Sequence, residues 1–303
     1  MKNSKTKNWK VVVDKDSAIS YEKIGLSRSL INIFLIPILN ILPKKSIHLI
    51  KKTHSSAKEV VDHKTSHKAL EVLYNTEYRE KKKSFLNQFF HWIWFQTNNS
   101  KTARNRLKIT KREIKKCIEA KISKGEKVRI LSIASGSARA IIETIEVLNK
   151  DIQDKESLSV VFLDKSPEAI SYSKNLARNI EMYNLSWVND TIGNFFRSND
   201  TRLNFDLIEV VGLMDYFIDS KVEEVYTNCF NHLKKGGMLI TANINKNSEV
   251  PFVTRVIDWK MIYRTAEDVG ELLKKANIEL LKKANIELFY EPLKIHSVAV
   301  AHK

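Results

Sequence analysis

The stretch Val128-Arg-Ile-Leu-Ser-Ile-Ala-Ser-Gly-Ser-Ala-Arg139 decides the fold. Val128 to Ile133 reads as a buried strand and ends in a turn of small residues, Ala134-Ser135-Gly136-Ser137-Ala138. A helix-periodic segment with Ile141, Ile142 and Ile145 follows. Strand, tight turn and helix in that order bring backbone N–H groups and a helix N-terminus up to a bound cofactor. A second apolar run, Val160-Val161-Phe162-Leu163, ends in Asp164. A carboxylate at the end of the second strand is where such folds hold ribose hydroxyls.

From 128 onward strands and helices alternate, which argues for a parallel sheet covered on both faces. The pattern predicts strands at 128–133, 159–163, 185–189, 206–210, 237–243, 286–291 and 295–301. Helices are expected near 137–149, 167–182, 220–234 and 265–283. A short turn at Pro292-Leu293 joins the last two strands, which therefore form an antiparallel hairpin. The expected fold is α/β: a Rossmann-like, mostly parallel sheet of seven strands with an antiparallel C-terminal hairpin, preceded by an α-helical N-terminal region.

Lys124-Gly125-Glu126 marks the boundary between a helical region, 1–125, and an α/β domain, 126–303. Within the first, residues 1–20 are polar and read as a loose end, and 55–122 read as helical throughout. Residues 85–95 are dense in aromatics, which suits a core or pocket wall better than nucleobase stacking. Residues 30–42 are strongly apolar, yet too short for a spanning helix and interrupted by Pro37 and Asn40. They read as a helix over the substrate pocket, with a membrane-interface helix as the alternative. The octapeptide at 271–278 recurs at once at 279–286, a local duplication that cannot prolong a helix and keep its buried stripe in place.

The net charge of +16 is uneven: residues 1–127 hold 29 Lys+Arg and 11 Asp+Glu, whereas 128–303 hold 22 and 24. A basic surface attracts nucleic acid, anionic lipid or acidic small molecules, or is simply solvated. Cys117 and Cys229 lie far apart and offer no metal or disulfide framework, and no histidine–carboxylate spacing suggests a metal site. The lysine-rich start is not followed directly by an apolar run and cleavage site, so a cytoplasmic, at most membrane-peripheral, protein is expected.

Over 125–303 the chain resembles the class I S-adenosylmethionine-dependent methyltransferases. Their acidic-x-Gly-x-Gly-x-Gly motif corresponds to Ser132, Ala134, Gly136 and Ala138, with one glycine retained and no acid at Ser132. Leu163-Asp164-Lys165-Ser166-Pro167, Asn189-Asp190-Thr191, Phe205-Asp206-Leu207-Ile208 and Leu233-Lys-Lys-Gly-Gly-Met-Leu-Ile240 are similar to later motifs, Lys235 standing where proline is usual. The resemblance implies S-adenosylmethionine as cofactor, with Asp164 on the ribose and Asp190 on the adenine amine. The cofactor-binding candidates are Ala134, Ser135, Gly136, Ser137, Asp164, Lys165, Asp190, Thr191 and Glu209, with Arg104 from the N-terminal region. More narrowly, Val211-Gly-Leu-Met-Asp-Tyr-Phe217 and Asp258-Trp-Lys-Met-Ile-Tyr-Arg264 resemble elements of bacterial methyltransferases related to those that make 3-hydroxy fatty acid methyl esters. Those relatives also carry an arginine-rich helix, as at Arg104-Asn105-Arg106.

Asp215, Tyr216 and Arg264 are the catalytic candidates. Asp215 and Tyr216 follow the fourth strand at the edge of the cleft, where a lone Asp-Tyr is equally a helix cap. Arg264 offers a fork for a carboxylate or forms a surface ion pair. Arg104 and Arg106 are weighed in the same way, and two residues apart they cannot share a helix face. Glu291 is a further candidate base, and His91 and His296 read as packing or surface residues. The expected reaction is direct in-line methyl transfer to a small acceptor, acidic or lipid-like, with the N-terminal helices as lid and pocket wall. An RNA methyltransferase using the basic region, a group transferase of another kind on the same fold and a non-catalytic membrane-associated protein are the alternatives.

Overall fold

The computed structural model describes residues 9–53, 55–74, 95–152, 154–180, 184–198, 204–276 and 286–303. The chain enters through strand β1 (Trp9–Val13) and runs through helices α1 (Leu26–Ile41), α2 (Ser46–Thr53), α3 (Ser55–Asp62), α4 (His67–Tyr74) and the long α5 (Asn98–Ile122). Alternation then begins: β2 (Val128–Ile133), α6 (Arg139–Leu148), β3 (Leu158–Asp164), α7 (Pro167–Leu176), β4 (Asn184–Asn189), α8 (Ile192–Ser198), β5 (Phe205–Val210), α9 (Asp219–His232), β6 (Leu233–Ile244), α10 (Ala266–Ala276), β7 (Ile286–Tyr290) and β8 (His296–His302).

Among the described residues eight strands form one sheet in the order β1-β7-β8-β6-β5-β2-β3-β4. Strands β2 to β6 pair in parallel, β8 runs antiparallel to β6 and β7, and β1 is parallel to β7. Strand β2 lies between β3 and β5 with both faces covered, which is why Ile130, Leu131 and Ile133 put apolar side chains on both faces instead of alternating with polar ones. On one face Leu131, Ile133, Ile208 and Leu239 pack with Val225, Tyr226 and Phe230 of α9. On the other, Ile130, Val160, Phe162 and Leu207 pack with α6 and with Ile109, Ile114 and Ile118 of α5. A third apolar cluster joins Val60, Ala69 and Val72 of α3 and α4 to Phe252, Val256 and Trp259 beyond β6.

The first correction concerns the N-terminus. Residues 9–13 are not a loose end; they form the edge strand β1, in register with Ile286–Tyr290. Three valines in polar surroundings give little periodic signal, and their partner is remote in sequence. The region 55–122 is not one continuous helical reading either. The chain breaks between Asp62 and His67, and Thr97 starts α5 afresh by accepting a hydrogen bond from the Ser100 amide. Of the aromatic run 85–95, Phe95 alone falls within the described residues, and it is buried in the third cluster. Strand β6 begins at Leu233 rather than 237, with a register shift against β5 between Phe205 and Leu207. Gly237 permits that crossing, since a Cβ there would lie 3.0–3.1 Å from three backbone carbonyl oxygens. The first octapeptide copy ends α10 at Ala276, and β7 starts at Ile286; the expected continuation of the helix to 283 lies outside the described residues. Helix α8 and a helical turn at Phe252–Val256 were not expected from the sequence.

Strand β1 is seated by one close approach. A Cβ on Gly270 of α10 would fall 2.9 Å from Trp9 Cε2 and 3.1 Å from Leu288 Cδ1. Gly270→Ala should therefore overpack the edge at a cost of about 1–3 kcal/mol, against a helix-propensity gain of about 1 kcal/mol. A net loss of stability is expected in urea unfolding. In a Trp9→Ala background the same substitution should become less destabilising, because only the approach to Leu288 Cδ1 remains; equal effects in both backgrounds would refute the packing argument.

Candidate active site

The turn after β2 is built from three left-handed residues, Ala134, Gly136 and Ala138, at φ 50°, 56° and 55°. These are the positions at which the resemblance expects glycine. An alanine there costs roughly 1–2 kcal/mol, so the turn holds strain that the surrounding contacts must offset. Ser135 N donates to Leu163 O at 3.0 Å. Asp164 locks the turn from the end of β3: its Oδ2 accepts from Gly136 N at 2.8 Å and its Oδ1 from Ser166 N at 2.9 Å. Ser135 Oγ is buried and makes no hydrogen bond.

The turn opens on a cavity of about 910 Å³ whose wall also includes Ser137, Lys165, Asp190, Thr191 and Glu209. Glu209 pairs in register with Ser132, the position of the missing acid, and its Oε2 accepts from Ser132 Oγ at 2.6 Å. Burial pushes the Glu209 carboxyl up to about 7, against the opposing pull of Ser132 and of the Arg106 charge. Half-buried Asp190 stands just before α8, its Oδ1 accepting from Thr191 N at 2.7 Å and Asn194 Nδ2 at 3.0 Å, while Thr191 Oγ1 caps the helix by accepting from Asn194 N at 3.2 Å. A dinucleotide-type turn with a buried unpartnered hydroxyl, and carboxylates at three separate points of one cavity, fit a ligand that bears ribose hydroxyls, an adenine amine and an ammonium group.

Helix α4 roofs this cavity through His67, Leu70 and Tyr74. A Cβ on Gly136 would lie 3.3 Å from His67 Cβ, so glycine lets the helix settle on the turn. Glu71 fastens the roof, accepting from Arg139 Nη2 at 2.5 Å and from the Tyr172 hydroxyl at 2.7 Å. Burial holds the His67 imidazole below its ordinary range. No motif in the sequence marked His67, Glu71, Arg139 or Tyr172; their role depends on a contact between distant segments.

A second, smaller cavity of about 80 Å³ adjoins the first and shares Leu70, Gly212 and Tyr216 with it. Its wall is mainly apolar, with Val60, Leu73, Phe252 and Trp259, and carries Arg106, Asp215, Glu249 and His296. The Arg106 side chain is 2% exposed, donates from Nη2 to the Tyr74 hydroxyl at 2.8 Å, and leaves Nε without a partner. Asp215 Oδ1 accepts from Ile244 N at 2.8 Å, and burial raises its pKa despite Arg106 nearby. The Tyr216 hydroxyl accepts from Trp259 Nε1 at 2.8 Å, and burial pushes it up to about 12. Glu249 caps α5, accepting from the amides of Asn98 and Asn99 at 2.7 and 3.0 Å.

Four expectations need correction. Arg264 is neither a free fork nor a surface ion pair. It is buried, and its guanidinium is spent on Met214 O, Phe217 O, Asn243 Oδ1 and Asp219 Oδ1, which pins the turn that carries Asp215 and Tyr216. Arg104 does not reach the cofactor cavity; it is held by Glu22 and by the carbonyls of Leu73 and Phe95. Glu291 is a turn cap rather than a base, accepting from the amides of Leu293, Ile295 and His296. His296 is a cavity residue, with its pKa held well below the ordinary value by burial and by Arg106, and with Nδ1 unpartnered. His91 lies outside the described residues.

Among the described residues, no three His, Cys, Asp or Glu side chains gather to hold a metal ion, and no helix is long and apolar enough to cross a membrane. A family model described as "Methyltransferase domain" matches residues 124–290, more than half of the chain. No curated protein matches. Among solved structures, one described as a possible exported protein from Bordetella parapertussis superposes with a TM-score of 0.60 at 15% identity, covering 93% of this chain and 99% of that one. The N-methyltransferase NodS from Bradyrhizobium japonicum, solved with S-adenosyl-L-homocysteine, gives 0.42 at 14% identity over 64% of this chain and 87% of its own. Magnesium protoporphyrin IX methyltransferase from Synechocystis, also with bound S-adenosylhomocysteine, gives 0.45 at 8% identity over 75% and 90%. Together with the strand order and the cavity behind the Gly136 turn, the match over 124–290 settles that the chain belongs to the methyltransferase domain family, as a class I enzyme that uses S-adenosylmethionine.

Proposed function

We propose that the enzyme delivers the methyl group of S-adenosylmethionine, by direct in-line displacement, to a small acidic or lipid-like acceptor seated beside Arg106. The observation that carries this reading is the buried Arg106 guanidinium, which walls an apolar cavity touching the cofactor cavity and keeps Nε unpartnered. An arginine fork in apolar surroundings suits a carboxylate. The elements around it, Gly212, Asp215, Tyr216, Trp259 and Met261, belong to the two stretches that resemble methyltransferases related to 3-hydroxy fatty acid methyl ester synthases.

When bound, S-adenosylmethionine supplies a methyl group already activated by its positive sulfur, so the protein's tasks are proximity, orientation and exclusion of water. A carboxylate acceptor is ionised at neutral pH and needs no general base. In this reading Arg106 orients the acceptor, Asp215 and Tyr216 bound it on the side of the cofactor, and Arg264 acts behind them as a positioning residue. Asp164 takes the ribose hydroxyls, Asp190 the adenine amine, and Glu209 the ammonium group in place of an acid at 132. Ala134, Ser135, Gly136, Ser137, Lys165 and Thr191 complete that wall. Residues 1–125 serve as lid and acceptor-pocket wall to the domain 126–303: α3, α4 and α5 all contribute to the smaller cavity.

Calorimetric titration tests the cofactor half. Asp164→Ala should weaken S-adenosylmethionine and S-adenosylhomocysteine binding by at least about tenfold. Glu209 must be ionised to hold an ammonium but has a pKa of about 7 in the free protein. Affinity should therefore fall as the pH drops through 7, approaching tenfold per pH unit on the acid side. Glu209→Gln should bind more weakly and flatten that profile; an unchanged slope in the variant would remove Glu209 from the role.

Transfer of labelled methyl to a panel of short and long fatty acids tests the acceptor half, with alkali-labile ester as the expected product. Arg106→Met should lower kcat by about a hundredfold at saturating cofactor and at a pH well above 7, where Glu209 is ionised with or without the guanidinium. Arg106→Lys should recover part of the loss. A panel in which amines or neutral alcohols are methylated, and Arg106→Met works as well as the parent, would sink the reading.

A further inference from the structure

Helix α1 turns an apolar side outward. Its protein-facing side mixes polar and apolar groups: Arg28, Asn32 and Ile36 are buried, Leu39 packs on the third apolar cluster, and Asn32 Nδ2 donates to Asn98 Oδ1 at 3.3 Å. Asn40 donates to Ser248 O at 2.8 Å and accepts from Phe252 N at 3.0 Å. The opposite side is Leu26, Leu30, Ile33, Phe34, Ile38 and Ile41, each between 54% and 87% exposed. Those spacings place all six on one continuous helical stripe. Leu49 of α2, 66% exposed, adds to the apolar surface of this region. Single exposed leucines need no explanation, but a contiguous stripe of this kind marks a binding surface.

The charge around the stripe says what kind of surface it meets. From Lys23 to Thr53 there are six Lys and Arg and no Asp or Glu. Lys23 precedes the helix, and Lys44, Lys45 and Lys52 follow it; all four are exposed. A bare apolar stripe flanked at both ends by lysines complements an anionic lipid surface: headgroups meet the cations and acyl chains the stripe. At 16 residues with Pro37 inside, α1 is too short to span and would lie in the interface plane.

We infer that α1, with Leu49 and the flanking lysines, docks the enzyme on an anionic membrane surface. The inner side of α1 is bonded to Ser248 and Phe252, and Glu249, Phe252 and Val253 wall the Arg106 cavity. Docking therefore sets the acceptor cavity one helix away from the lipid. The use of docking, capture of a lipid-like acid from the bilayer, rests on the proposed acceptor; the docking itself does not.

Vesicle flotation tests it with the full-length protein, using phosphatidylcholine vesicles with and without phosphatidylglycerol. The protein should float with the anionic vesicles and at least about tenfold less with phosphatidylcholine alone or at high salt. Leu30→Glu/Phe34→Glu, on fully outward positions, should stay at the bottom, again by at least about tenfold, while titrating S-adenosylhomocysteine like the parent. Lys44→Glu/Lys45→Glu should lose the preference for the anionic lipid. Failure of the parent to float, or flotation of the Leu30/Phe34 variant at the parental level, overturns the proposal. So does a parental dimer, seen by light scattering, that this variant dissolves without any change in vesicle binding, since the stripe is then a contact between copies. Flotation as expected without methylation of any lipid-like acid leaves docking intact and removes the acceptor reading alone.

Discussion

The first half of α5 is buried although it is polar. Asn98, Ser100, Lys101, Thr102, Arg104, Asn105, Arg106 and Thr110 all lie inside. Polar groups withdrawn from water cost several kcal/mol unless they find partners, so these side chains dictate what packs around them. Arg104 grips Glu22 and two carbonyls, Asn105 exchanges hydrogen bonds with the Glu22 backbone at 2.8 and 2.9 Å, and Lys101 reaches Lys23 O at 2.9 Å. Further along, Arg112 pairs with Asp14 at 2.6 Å and Asp16 at 3.1 Å. The segment between β1 and α1 is laced to α5 in this way, while Ile109, Ile114 and Ile118 fix α5 to the sheet. Edge strand, N-terminal helices and sheet thus share one strut.

That lacing changes the meaning of the basic N-terminal half. Several of its cations point inward or are paired: Arg104, Arg112 and Lys101 are committed to groups within the protein, and Lys51 pairs with Asp62. Phosphate binding draws on cations free to shed counterions, and these are not free. Lysines that do remain exposed include those at the two ends of α1.

The parts legible in the sequence are those whose cause is local. The β2 turn, Asp164 and the alternation after 128 follow from neighbours a few residues apart, and the structure has them close to where the pattern puts them. Asp215 and Tyr216 lie at the cleft because the turn after β5 is short. What could not be read depends on distant pairings. Strand β1 is defined by Ile286–Tyr290, and the roof by His67 meeting Gly136. Arg264 and Arg106 pose the same choice in sequence, a fork for an anion or an ion pair. One is saturated by carbonyls and the other opens on a cavity, a difference set by which backbone oxygens the fold brings near.

Arg106 also joins the two cavities electrostatically. Burial raises the carboxyls of both Glu209, on the cofactor side, and Asp215, on the acceptor side, and the guanidinium pulls each back toward ionisation. Its hydrogen bond goes to the Tyr74 hydroxyl and not to either acid, so its charge is shared rather than cancelled. An ammonium group placed on Glu209 would favour the ionised carboxylate there. An anion placed on Arg106 would stabilise the guanidinium but oppose ionisation of Glu209 and Asp215. Loading the acceptor cavity with a carboxylate should therefore favour protonated Asp215, which then offers a hydrogen-bond donor where an ionised acid would repel the ligand. On the proposed reading, a neutral acceptor would leave the buried cation uncompensated, which is the physical argument for an acid in this cavity.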